Sequence, residues 1–174
     1  MMHARAGLMA GSRRASGIWM LCAAAALIFA LAPGAAQQRR ITPFTGRWQC
    51  NAALSKFDPG PPFRSFTLTF TEDGSRHLDL TFADVRRLRA ELPWSDGKEV
   101  AVRVIEGEMG DVRAVSKIRG REFQDTWMEG GRVIEHVRGM LSRDGKTLTV
   151  DVRGPLPGGG EFRNRVVFER RQGR

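Results

Sequence analysis

Beyond residue 43 the chain repeatedly alternates apolar and polar residues with a period of two, which is the pattern of half-buried β-strands. Clear examples are Phe66–Phe70, Leu78–Phe82 and Val100–Val104. Further segments with this pattern cover 87–92, 112–119, 121–129, 131–142, 146–153 and 161–170. Short turns containing Gly or Asp separate them, and no segment indicates a long helix. The pattern predicts an all-β fold of about eight to ten strands.

Short connections favour pairing between strands that are neighbours in sequence, which predicts an antiparallel meander. Almost every strand has one apolar face, and a sheet that closes on itself buries that face while removing its exposed edges. We therefore expect a single antiparallel up-and-down barrel. A two-sheet sandwich is the alternative, although it usually needs longer crossover connections. The loops Asp58–Pro62 and Gly154–Gly160 are expected at the mouths of the barrel.

The first 36 residues have the regions of a secretory signal peptide in the usual order. A basic start without acidic residues precedes the uncharged run Ile18–Ala32, and small residues precede a cleavage position after Ala36. A retained membrane anchor is the alternative, but a spanning helix needs about 20 apolar residues. We expect residues 1–36 to be removed and residues 37–174 to form the barrel. The mature protein is then periplasmic or secreted, without a stable membrane anchor.

Composition and charge exclude several classes of site once the signal peptide is set aside. Of 28 basic and 19 acidic side chains, 25 and 19 remain in residues 37–174, giving a net charge of +6. Export argues against nucleic acid as a partner. Cys50 is the single remaining cysteine, so neither an intramolecular disulfide nor a zinc site built on several thiolates can form. With only His77 and His136 left as histidines, we expect no metal and no cofactor.

The start of the barrel segment resembles a known group of proteins. Phe44–Asn51 (FTGRWQCN) contains a G-x-W strand, and Ser55–Pro61 (SKFDPGP) follows it. Weaker similarity lies in Ser142–Val150 and in Arg165–Arg170. Together these segments resemble secreted bacterial lipocalin-like proteins, which have calycin-type barrels and largely unassigned functions.

The resemblance implies that Trp48 closes one end of the barrel, under a basic side chain from the last strand. Arg170 and Arg165 are the candidates for that side chain. The other end is then expected to hold a small apolar ligand. Cys50 departs from the group, in which a larger aliphatic residue is more usual, and we expect it to be a small buried hydrophobic residue.

Candidate binding chemistry lies on one hairpin. Gly130-Gly131 predicts a two-residue turn, which sets Trp127 opposite Ile134, Asp125 opposite His136 and Phe123 opposite Arg138. These six side chains then share one face of the sheet. If that face is interior, it forms the expected ligand-binding site of Phe123, Asp125, Trp127, Ile134, His136 and Arg138. The three polar members would orient a mainly apolar ligand, and Arg138 would pair with an anionic head group.

The register of the next hairpin decides whether this face is interior. A three-residue turn at Arg143–Gly145 sets Arg138 beside Val150 and keeps the face apolar. With a shorter loop Arg138 lies opposite Asp151, and the cluster becomes a polar network on the solvent side. A slip of one residue is enough to exchange the two faces.

These observations predict an exported, non-enzymatic barrel that binds a small apolar or amphiphilic, lipid-like molecule. One alternative is a structural or interaction protein of the cell envelope whose barrel is filled by its own side chains. A second is a hydrolase that uses Asp125 and His136. The hydrolase is disfavoured because no Ser stands in a sharp strand-to-helix turn to complete a triad.

Overall fold

The computed structural model describes residues 42–60 and 63–171, all within one compact unit. The predicted signal peptide lies outside these residues. The all-β prediction is confirmed. The eleven antiparallel strands are β1 (Gly46–Cys50), β2 (Phe63–Phe70), β3 (Arg76–Phe82), β4 (Arg87–Leu92), β5 (Glu99–Ala101), β6 (Arg103–Glu106), β7 (Val112–Arg119), β8 (Glu122–Glu129), β9 (Arg132–Leu141), β10 (Thr147–Pro155) and β11 (Glu161–Arg171). Among the described residues, no helix has the length and hydrophobicity needed to cross a membrane.

The strands form one nearly closed antiparallel barrel, in the spatial order β5-β7-β8-β9-β10-β11-β1-β2-β3-β4-β6. The last strand, β11, returns to pair with β1. At the two edges, β5 pairs with β7 and β6 pairs with β4. Only Val102 separates β5 from β6, and its backbone N–H donates to the carbonyl of Val112 at 2.9 Å. The strand count exceeds the predicted eight to ten because the stretch Val100–Val104 changes partner at Val102.

Aromatic side chains fill one end of the barrel. Trp48, Phe44 and Phe70 are at most 1% exposed. The rings of Phe44 and Phe70 stack with centroids 5.3 Å apart, and Trp48 Nε1 donates to the Phe44 carbonyl at 2.8 Å. The guanidinium of Arg170 lies 4.2 Å from the centroid of the Trp48 ring and donates to three backbone carbonyls. Arg170 is therefore the basic side chain that the resemblance predicted over Trp48.

Arg165, the other candidate for this cover, lies elsewhere, and Cys50 is less buried than expected. Arg165 lies on the outer surface, where its Nε donates to Asp151 Oδ1 at 2.7 Å. Cys50 packs against the core but is only partly buried, so it is more accessible than predicted. Burial still raises the pKa of its thiol.

Candidate functional site

The Gly130-Gly131 hairpin has the predicted two-residue turn, with positive φ at both glycines. Its register changes immediately beyond the turn. A β-bulge next to Trp127 leaves Ile134 as an extra residue in β9, so Trp127 lies opposite Glu135 rather than Ile134. Because side chains alternate along a strand, this one extra residue turns over the faces of all later residues of β9.

The next hairpin also differs from the favoured prediction. The Ser142 N–H donates to the Thr147 carbonyl at 2.8 Å, which makes Arg143–Lys146 a loop of four residues rather than three. Arg138 consequently lies opposite Asp151. This is the polar pairing that the sequence left open as the alternative, although a longer loop produces it instead of a shorter one.

The predicted site residues are divided between the two faces of the sheet. Phe123, Asp125, Trp127 and Ile134 line the interior of the barrel. His136 and Arg138 lie on the outside, and the Arg138 Nε donates to Glu122 at 2.9 Å. The expectation that all six share one face is therefore wrong, because the bulge separates them. The binding role of the four interior residues stays a prediction.

The interior contains a cavity of about 560 Å³ next to the aromatic end. Its walls come from the inward faces of β2, β3, β4, β8, β9, β10 and β11, and they are mainly aliphatic and aromatic. Leu78, Leu80, Phe82, Val152 and Phe162 are representative lining residues. Small-molecule sites usually have volumes of about 300–1,000 Å³ and mostly apolar walls. The cavity is suitable in size and lining for a small apolar molecule.

A buried ion pair crosses the interior at the floor of this cavity. Arg76, the first residue of β3, donates to the two carboxylate oxygens of Asp125 at 2.6 and 2.7 Å and to Ser116 Oγ at 2.8 Å. The side chains of Arg76 and Asp125 are 5% and 2% exposed. The guanidinium carbon also lies 4.9 Å from the centroid of the Phe123 ring. The two charges satisfy each other, so neither is an unpaired charge that would attract a ligand.

Glu135 projects into the cavity above this floor. The bulge places it on the inner face beside Ile134 and opposite Trp127. Burial raises the pKa of its carboxyl to about 7, and no charged or hydrogen-bonding side chain among the described residues offsets that effect. The buried Nε1–H of Trp127 likewise has no acceptor within the described part of the chain. Within the described residues, the Glu135 carboxyl and the Trp127 Nε1–H thus lack hydrogen-bonding partners, and they belong to directly opposite positions of the cavity wall.

Neither Arg76 nor Glu135 was predicted as a site residue from the sequence. Arg76 carries a visible signal, because it is in phase with the apolar positions of Leu78–Phe82 and therefore faces inward. The signal for Glu135 is weaker. Glu135 is in phase with Val137 but out of phase with Ile134, and all three side chains face inward only if the strand contains a bulge.

Among the residues that the structure describes, the ionisable side chains of the cavity wall are Arg76, Asp125, Glu129 and Glu135. Since Arg76 and Asp125 neutralise each other, the wall carries an excess of acidic groups. Within residues 42–60 and 63–171, no three His, Cys, Asp or Glu side chains are grouped so that they could hold a metal ion. Comparisons of the chain with protein-family models, with curated proteins and with solved structures find no match.

Proposed function

We propose that this protein is an exported, lipocalin-like barrel that binds a small apolar or amphiphilic molecule in its interior. The observation that carries the proposal is the apolar cavity of about 560 Å³. One water molecule needs about 10–15 Å³ of such volume, so the space is far larger than packing defects provide. A barrel filled by its own side chains would leave no cavity of this size. The G-x-W segment and the cover of Arg170 over Trp48 support the lipocalin-like assignment.

The proposed location is the periplasm or the exterior of the cell. It is supported by the basic, apolar and small-residue regions of residues 1–36, which have the order of a cleaved signal peptide. In that location nucleic acid is not an available partner. A small molecule that partitions into an apolar cavity is the partner we propose.

The proposed role is binding without catalysis. Asp125, one of the two residues considered for a hydrolase, is held on both carboxylate oxygens by Arg76. His136, the other, lies on the outer surface of the barrel. The two side chains point to opposite faces of the sheet, which argues against a shared triad. We expect no labelling of the folded protein by serine-directed hydrolase probes.

The proposal is tested with N-phenyl-1-naphthylamine, an uncharged probe whose fluorescence rises in apolar sites. The full-length chain is expressed, purified and titrated with the probe alongside two variants of β9. Val137→Trp places an indole inside the cavity, and Val133→Trp makes the same change at a side chain that is 41% exposed. We expect saturable binding in the wild type and in Val133→Trp, and loss of binding in Val137→Trp.

Circular dichroism of both variants establishes that their barrels are folded. Absence of saturable probe binding by the wild type would contradict the proposal. Equal binding by both tryptophan variants would place the probe outside the cavity and contradict it as well.

A further inference from the structure

We infer that the polar end of the bound molecule is a protonated amine, received between the carboxyl group of Glu135 and the indole of Trp127. This inference rests on the proposed function, since it specifies the chemical class of the ligand for the same cavity. It reverses the expectation of an anionic head group, which depended on an inward-facing Arg138.

The position of Glu135 supplies the first argument. The β-bulge at Ile134 turns Glu135 toward the cavity, directly opposite Trp127. Side chains at directly opposite positions of antiparallel strands have Cβ atoms about 4.5–5.5 Å apart. A carboxylate attracts an ammonium group by a charge-assisted hydrogen bond, and an indole ring is the aromatic group that attracts cations most strongly. The Glu135 carboxylate is therefore the group suited to an ammonium, and the Trp127 indole lies on the strand opposite it.

The charge of the cavity wall supplies the second argument. Arg76, the one basic group of the wall among the described residues, is neutralised by Asp125 at the floor, 2.6 Å away. A carboxylate or phosphate entering the cavity would lose its hydration without gaining an unpaired basic partner, which is strongly unfavourable. Glu129, near the turn of the same hairpin, adds a second acidic group to the wall. An anionic ligand is therefore disfavoured by the residues that line the cavity.

A neutral hydroxyl is the remaining competitor, because it also donates a hydrogen bond to a carboxyl oxygen. An ammonium binds more strongly, since both members of the bond are then charged. Desolvation raises the pKa of Glu135 to about 7, and a cation beside the group would favour its ionised form. On the neighbouring strand β10, the residues that line this cavity are Val150 and Val152, so that strand adds no competing charge to the wall.

The test compares three competitors that share one alkyl chain. Decylamine, decanol and decanoate displace N-phenyl-1-naphthylamine from the full-length protein at pH 8, where the first is cationic, the second neutral and the third anionic. We expect decylamine to reach half-displacement at a concentration at least about tenfold lower than decanoate, and also below that of decanol, as a charge-assisted bond implies.

Two variants identify the group responsible. Glu135→Gln removes the charge inside the cavity, and Glu122→Gln removes the same charge from the outer face of the sheet. We expect Glu135→Gln to abolish the advantage of decylamine over decanol, because the loss of the charge weakens the binding of the ammonium more than that of the hydroxyl. Glu122→Gln should leave the order of the three competitors unchanged. Retained probe affinity in each variant shows that its cavity is folded.

The possible outcomes separate the two proposals. If the probe does not bind the wild-type protein, the proposed function fails and this inference fails with it. If the probe binds but decanoate competes as well as decylamine, the binding function stands and the amine inference is overturned. An amine advantage that persists unchanged in Glu135→Gln also overturns it.

Discussion

Replacing Glu135 with glutamine is expected to remove a pH-dependent loss of stability from the folded barrel. Burial raises the pKa of this carboxyl from 4.5 to about 7. Below pH 4.5 the group is protonated in both the folded and the unfolded chain, so it has no effect on stability. Between 4.5 and 7 the unfolded chain releases the proton while the folded chain keeps it, and the free energy of unfolding falls. Above pH 7 the loss is complete.

The size of the effect follows from the two pKa values. One pKa unit corresponds to about 1.4 kcal/mol, so the rise at Glu135 corresponds to a loss of about 3 kcal/mol at pH 8. Glutamine is uncharged at every pH and retains nearly the same shape. The free energy of unfolding of Glu135→Gln, taken relative to wild type, should therefore increase by up to about 3 kcal/mol between pH 4.5 and pH 8.

Urea unfolding followed by tryptophan fluorescence measures this difference at pH 4.5 and at pH 8. Glu122→Gln is the matched control on the outer face, where a hydrogen bond from Arg138 lowers the pKa of Glu122. A carboxyl group with a lowered pKa stabilises the fold at pH values above its ordinary pKa. Glu122→Gln should therefore lower the free energy of unfolding relative to wild type, whereas Glu135→Gln should raise it. A difference between wild type and Glu135→Gln that does not vary with pH would refute the claim that Glu135 is desolvated in the cavity.

Three further predictions concern the floor, the outer face and the thiol. Asp125→Ala leaves the buried guanidinium of Arg76 without its counterion, so urea unfolding should show a loss of about 3–5 kcal/mol, and the joint change Arg76→Met with Asp125→Leu should lose less. Arg138→Ala should keep the affinity for N-phenyl-1-naphthylamine within about twofold in a fluorescence titration, because Arg138 pairs with Glu122 outside the barrel. Cys50 should react with a disulfide reagent more slowly in the folded than in the urea-unfolded protein, since burial raises the pKa of its thiol.

The sequence was sufficient to predict the strands and their order, for identifiable reasons. Alternation along Leu78–Phe82 and 121–129 is regular because each of these strands turns one face toward the interior of the barrel. Short turns then pair each strand with the next one along the chain. Strand positions and the meander follow from these two local properties alone. The change of pairing partner at Val102 was not predicted, because a change of partner within one extended segment does not alter the apolar–polar alternation.

The register of β9 was harder to predict because two requirements conflict within that strand. Ile134 near the turn and Val137 and Leu141 further along are all packed inside. Val137 and Leu141 are an even number of residues apart, but Ile134 and Val137 are separated by three. Regular alternation cannot turn all of them inward, and a bulge with one extra residue resolves the conflict. Turn type alone, which fixes the register only next to Gly130-Gly131, does not contain this information.

The same bulge places an acidic residue where burial of apolar surface alone would favour an apolar one. At neutral pH, burial of the Glu135 carboxyl lowers the free energy of unfolding by about 3 kcal/mol. Residues that reduce stability in this way are concentrated at functional sites. If an amine binds there, its charge should offset the loss, because the bound cation stabilises the ionised carboxyl. Saturating decylamine at pH 8 should therefore raise the melting temperature of the wild type more than that of Glu135→Gln. Equal shifts would mean that the amine binds without contacting the Glu135 carboxyl. Glu135 would then lower the stability of the fold without taking part in ligand recognition.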